Sequence, residues 1–168
     1  KKNTLELLSF AKSQGIESEA VLSGSGVSRQ ANVLAGQGAS KVYLADDESL
    51  KIYNTEQYTC LVTDALKQSG ATQVWLSSSE LGRDLTPRLA ARHNVGALSD
   101  VTQLEVNGDE IQAQRPCMST KVMQTCKFSK KGLRIISIRS GFFLSEQTSP
   151  VEANIVTLSI PEGHTKLK

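Results

Sequence analysis

The 168-residue chain sets 19 Lys and Arg against 17 Asp and Glu, for a formal net charge of +2, and its basic residues are spread along the sequence without long runs; that balance excludes a nucleic-acid surface built on charge. A hydrophobic fraction of 39% and a charged fraction of 21% belong to an ordinary folded, soluble chain, and no apolar run approaches the roughly 18 residues a spanning helix needs. The three cysteines, Cys60, Cys117 and Cys126, are odd in number and lack C-x-x-C spacing, which excludes a disulfide framework, a zinc site and a thioredoxin-like pair and points to a reducing, intracellular setting.

The length suits one compact domain with some extra tail. Lys1-Lys2-Asn3-Thr4 lacks the apolar stretch of a secretion signal. Over the first two thirds, helix-like and strand-like segments alternate, which predicts an α/β fold with helices on the faces of a mostly parallel sheet. Asn3 and Glu6 read as a capping pair, Leu7, Leu8 and Ala11 as a helical apolar stripe, and Gly15 as its stop. Ala20-Val21-Leu22 predicts a strand running into Gly24-Ser25-Gly26, after which Ser28 is placed to cap a helix through Ala31, Leu34 and Ala35 that ends near Gly36 or Gly38.

Val42-Tyr43-Leu44-Ala45 is the next strand. Past the acidic loop Asp46-Asp47-Glu48, residues Tyr58, Leu61, Val62, Ala65 and Leu66 make the clearest helical face in the chain, closed by Gly70. Val74-Trp75-Leu76 predicts a buried strand, and Leu81, Leu85 and Leu89 line a helix in which Pro87 is tolerable only near the first turn. From Val101 the period changes. Leu104 and Val106, the Asn107-Gly108 pair, then Ile111 and Ala113 predict a β-hairpin on a type I′ turn. Val122 to Cys126 and Leu133 to Ile138, joined at Lys130-Lys131-Gly132, predict a second pair of strands, and Val151 to Ile160 a final one leading out of the domain. The segment from Ser145 to Pro150 is turn-rich. A parallel sheet of strand-helix-strand units should open on a strand, whereas this chain opens on a helix, so a first strand is expected upstream.

Two loops are candidates for chemistry. Gly24-Ser25-Gly26, after a strand and before a helix, stands where phosphates are cradled, but it has neither G-x-G-x-x-G spacing nor a P-loop Lys-Ser/Thr and serves equally as a plain turn. Ser77 to Asp84 sits at the carboxyl end of a predicted strand, where open α/β sheets bind ligands. There Ser78, Ser79, the backbone around Gly82 and the Arg83 guanidinium form an anion-site candidate, and the alternative reading makes the same residues cap, turn and surface ion pair. His93 and His164 sit in no Ser or Cys signature, so no catalytic residue and no metal ligand is named. Cys60 reads as a small helical core residue and Trp75 as core or interface.

Gly82-Arg83-Asp84-Leu85-Thr86-Pro87-Arg88-Leu89-Ala90-Ala91-Arg92, followed at the family's spacing by Leu98-Ser99-Asp100-Val101, is similar to the stretch that typifies the electron transfer flavoprotein alpha subunit. Leu44 to Asp46, Tyr53 to Tyr58, Arg115-Pro116 and the late strand reaching Arg139 agree with it, so the resemblance covers most of residues 4 to 143. It implies a three-layer α/β/α domain of the adenine-nucleotide-hydrolase-like (HUP) type with added antiparallel strands, over 1–145, and an exit segment, 146–168, toward an FAD-binding domain. It also implies an electron carrier, not an enzyme, that pairs with a beta subunit and accepts electrons from flavin dehydrogenases such as the acyl-CoA dehydrogenases of fatty acid β-oxidation. Such a carrier works in the bacterial cytoplasm or the mitochondrial matrix. FAD belongs to the full-length protein and is not expected in this segment; in the family the beta subunit's equivalent domain binds AMP, whereas the alpha domain generally does not.

On that reading the segment is a scaffold and docking domain, and Arg83, Asp84 and Arg88 on the polar side of the Leu81-Leu85-Leu89 helix are its interface candidates. The alternative is a stand-alone nucleotide-binding protein of the same fold, against which stands the absence of a Ser-Gly-Gly-x-Asp-Ser loop. One departure is plain: after Arg115-Pro116 the family usually shows a Tyr-Ala-Gly-Asn type stretch, and this chain has Cys117-Met118-Ser119-Thr120.

Overall fold

The computed structural model describes residues 2–108, 110–128, 132–142 and 148–161. The chain forms two compact units, Lys1–Leu7 with Ala71–Leu144 and Leu8–Gly70 with Ser145–Lys168. The first helix, α1 (Lys2–Ser13), is divided between them.

In the Leu8–Gly70 unit, β1 (Ser18–Gly24) leads through α2 (Gln30–Gly36) to β2 (Ala39–Asp46), and the two strands pair in parallel with Ala20 beside Val42 and Leu22 beside Leu44. Val42 to Ala45 are buried without alternation, as a parallel strand covered on both faces requires. Helix α3 (Thr55–Ser69) starts at Asn54, whose side chain accepts from the Glu56 and Gln57 N–H groups, and stops at Gly70 with φ +67°. Leu61 and Ala65 of its predicted face pack with Tyr43, Ala45, Leu50 and Leu158, flanked by Tyr58. Thr59 and Thr63 are also buried, and their hydroxyls donate to the Thr55 and Thr59 carbonyls at 2.6 and 2.7 Å.

Three expectations fail in these elements. Asn3 lies inside α1, and Glu6, buried, accepts from the Gly141 N–H at 2.9 Å instead of returning to a cap. Ser28 does not cap α2; its hydroxyl is drawn to Asp46, and Arg29 stands at the cap position with no side-chain hydrogen bond. The late strand shrinks to a short one, Ile155–Thr157, the ninth in chain order (β9), which pairs in parallel with β2 on the side away from β1.

In the Ala71–Leu144 unit, β3 (Gln73–Ser77), α4 (Glu80–His93) and β4 (Ala97–Val101) follow in turn. The antiparallel sheet β5 (Gln103–Asn107), β6 (Glu110–Cys117) and β7 (Val122–Lys127) comes next, and β8 (Arg134–Ile138) then inserts between β3 and β4, parallel to both. The expected pairing of the last two is thereby corrected: β7 pairs with β6, and β8 enters the other sheet. The physical reason lies in their side chains. Ile135 and Ile136 are fully buried and Ser137 and Ile138 nearly so, which only a central strand allows, whereas Val122 to Thr125 are all exposed. Lys130 and Lys131 of the supposed joining turn lie outside the described residues.

The β5–β6 hairpin is present, but Asn107 still pairs with Glu110, so Asn107 belongs to the strand and not to the turn, and Gly108 follows it at φ +59°. Pro87 falls well inside α4, which accommodates it while burying Leu85 and Leu89. At the β6–β7 turn Met118, Ser119 and Thr120 stand at φ 49°, 53° and 68° in succession. Left-handed backbone costs an L-residue about 1–2 kcal/mol and is worst for a β-branched side chain. Thr120→Gly is therefore expected to stabilise the chain by about 1 kcal/mol, read as a higher urea midpoint.

Candidate functional site

The corner between β3 and α4 is built by close backbone approach. Ser79 caps α4, its hydroxyl accepting from the Gly82 N–H at 3.3 Å, and Gly82 sits so near the end of β3 that a Cβ there would lie 1.8 Å from the Ser77 carbonyl oxygen. Ser78 is tied to the neighbouring strand: its N–H donates to the Ile138 carbonyl at 2.7 Å and its hydroxyl lies 3.1 Å from that of Ser137. Ser137, almost wholly buried, also accepts from the Asp100 N–H at 3.1 Å. Thr86 satisfies its buried hydroxyl on the Gly82 carbonyl at 2.6 Å.

Asp100 interrupts β4 with φ +63°, at the point where the β4–β8 register shifts. Its carboxylate takes a two-pronged grip from Arg139: Nε donates to Oδ1 at 2.9 Å and a terminal nitrogen to Oδ2. The hydrogen bond from Arg139 holds the Asp100 carboxyl below its ordinary value, helped by the charges of Arg139, Arg83 and Arg115 and opposed by partial burial. Because the folded-state value is depressed below 3.8, the pair stabilises the fold above that pH and the contribution disappears as pH falls through the folded value. Asp100→Asn is accordingly expected to lower the urea midpoint by a constant amount from pH 7 to pH 5, with parent and variant converging below about pH 4.

Together these residues border an open cleft of about 370 Å³ at the carboxyl ends of the strands, lined among others by Ser78, Arg83, Pro87, Ser99, Asp100 and Ser137. Of the anion-site residues read from the sequence, Ser78 and Arg83 reach the cleft, while Ser79 and Gly82 shape the corner behind it. The interface candidates separate: Arg83 lies on the cleft side, and Asp84 and Arg88 pair with each other one helical turn apart at 3.6 Å, both well exposed. Asp100, Ser137 and Arg139 were given no role by the sequence, although Asp100 and Arg139 stand in stretches it singled out.

The other corner, Gly24 to Ser28, is filled from within. Asp46 accepts from the Gly26 N–H at 2.6 Å, the Ser28 N–H at 2.9 Å and the Ser28 hydroxyl, and Glu48 accepts from the Ser25 hydroxyl at 2.8 Å. The Ser28 hydroxyl, chiefly, holds the Asp46 carboxyl below its ordinary range. A carboxylate of the chain thus occupies the donors that a phosphate would need, which favours the plain-turn reading of these glycines.

The profile of the electron transfer flavoprotein domain family matches residues 1–162. The chain belongs to that family. The flavoprotein subunit alpha of Clostridium acetobutylicum is 30% identical over 172 residues, taking in 99% of this chain and 51% of the relative. FixB of Clostridium saccharobutylicum is 30% identical over 174 residues, 99% of this chain and 52% of its own length. The acryloyl-CoA reductase electron transfer subunit beta of Anaerotignum propionicum is 33% identical over 98 residues, 58% of this chain and 27% of that one. The chain spans about half the length of the first two of these curated relatives. Among the described residues no helix is long and apolar enough to cross a membrane.

Proposed function

We propose that this chain is the amino-terminal domain of an electron transfer flavoprotein alpha subunit, a scaffold that docks the beta subunit within a carrier of electrons from flavin dehydrogenases to a downstream acceptor. The observation that carries the reading is the family match over 1–162, joined to a relative named subunit alpha that covers nearly the whole chain with half its length. In this reading FAD is held by the remainder of the full-length subunit, and this segment takes no part in the redox chemistry. Its place is the cytoplasm in a bacterium and the mitochondrial matrix in a eukaryote.

The docking surface includes the exposed face of α4. Support comes from Asp84 and Arg88, a mutually oriented ion pair 3.6 Å apart and open to solvent. An exposed pair of this kind adds under about 1 kcal/mol to folding, so its removal should leave the fold intact while a partner that reads the pair loses affinity. Exchanging the charges, Asp84→Arg with Arg88→Asp, is expected to weaken binding of the beta subunit about tenfold in isothermal titration without moving the melting temperature. Unchanged affinity would remove this face from the interface.

A further inference from the structure

The two strand-to-helix corners have opposite electrostatics, and the difference points to a ligand. At Gly24 to Ser28 the backbone donors are met by Asp46. At the corner of β3 and α4 no carboxylate of the described residues plays that part: Asp100, which lines the cleft, is gripped by Arg139 through both oxygens. The charges of Arg83 and Arg115 also favour the ionised form of this carboxylate, so the acid of the cleft is already satisfied by guanidinium groups and leaves the cleft's own donors unclaimed.

Two donors of the cleft lining lack acceptors among the described residues. The Arg83 guanidinium makes no hydrogen bond or ion pair. The second is a hydroxyl proton: Ser78 and Ser137 bring two hydroxyl protons to a single shared hydrogen bond, and the Asp100 N–H uses a further lone pair of Ser137, so whichever hydroxyl donates, the proton of the other is left over. Both serines and Arg83 line the cleft, and Ser137 is only 1% exposed. Spare donors, one of them the exposed Arg83 guanidinium, around a cavity of about 370 Å³ are the complement of an oxyanion on a small molecule.

We propose that this cleft binds the oxyanion group of a small molecule, phosphoryl or carboxylate, with the Arg83 guanidinium and the spare Ser78–Ser137 hydroxyl as its donors. Pro87 and Ala97 supply an apolar wall for the rest of the ligand. Occupancy engages the Arg83 charge without disturbing the Asp100–Arg139 pair.

Inorganic phosphate and, separately, succinate titrated into the chain at constant ionic strength, followed by 1H–15N NMR at Ser78, Glu80 and the Arg83 Nε–H, test this directly. Saturable shifts are expected with at least one of the two, and the one that saturates identifies the source of the oxyanion. Arg83→Gln should weaken that binding about tenfold or more, the loss expected for a charge-assisted hydrogen bond. Arg92→Gln removes the same charge nine residues along α4, about 13 Å away along the axis, and should leave the affinity unchanged. Shifts that never saturate with either anion, or equal losses in the two variants, overturn the proposal. The measurement needs no second subunit, so its failure leaves the docking reading standing, and a failure to dock leaves the oxyanion site standing.

Discussion

Gly82→Ala is expected to destabilise the chain by about 3 kcal/mol or more, the upper end of what overpacking costs, because the added methyl has nowhere to go. Its carbon would lie 1.8 Å from the Ser77 carbonyl oxygen and 3.0 Å from the carbonyl carbon. These are backbone atoms at the end of β3, so no side-chain rotation relieves the clash. Either α4 backs away from the strand or the Ser77 peptide turns, and the second breaks the geometry that hands Ser78 to Ile138 and Ser137. Gly70 provides the contrast: it needs its positive φ of 67°, but a Cβ there meets nothing within 4 Å, and alanine should cost only about 1 kcal/mol. Urea unfolding of both variants measures the difference. Near-equal midpoints would mean that the close approach of helix and strand is not what holds the corner.

Ile136→Ala should cost about 2–5 kcal/mol. Ile136 is fully buried at the middle of β8, paired in register with Trp75 of β3 on one side and Leu98 of β4 on the other. Removing three carbons there leaves a cavity where strands on both sides and α4 restrict collapse. Val122→Ala on exposed β7 serves as the control, expected within about 0.5 kcal/mol of the parent. Had β7 and β8 formed the hairpin that local pattern suggested, the two substitutions would differ far less.

That pair of strands shows where the sequence stops being legible. Val42 to Ala45, α3 with Gly70 at its end, and the Leu85–Leu89 stripe of α4 all announce themselves through periodicity and capping, which are local signals. Pairing is not local: the apolar density of Arg134 to Ile138 marks a buried strand, but nothing in it says that β3 and β4, dozens of residues earlier, leave a gap between them. Ser28 failed for a related reason. Its hydroxyl had a nearby helix N-terminus to cap, and the Asp46 carboxylate, adjacent only after β1 and β2 pair, competed successfully for it.

The candidate site was half legible. Ser78 and Arg83 could be placed at a strand's carboxyl end from local pattern alone, whereas the Asp100–Arg139 grip joins residues 39 apart in sequence and depends on the insertion of β8 beside β4. The same insertion brings Ser137 to Ser78. No spacing rule in a single sequence reports such contacts. The resemblance to the family ran through the stretches that hold Asp100 and Arg139 without assigning any chemistry between them.

The central claim, that this segment docks a beta subunit, is tested most directly by mixing the chain with the beta subunit encoded by the same organism and measuring the mass of the eluted species by size-exclusion chromatography with light scattering. The account predicts a one-to-one heterodimer, free of flavin absorbance contributed by this chain, that persists on dilution to low micromolar concentration. Two separate peaks at high micromolar concentration, with each protein folded by circular dichroism, would contradict it.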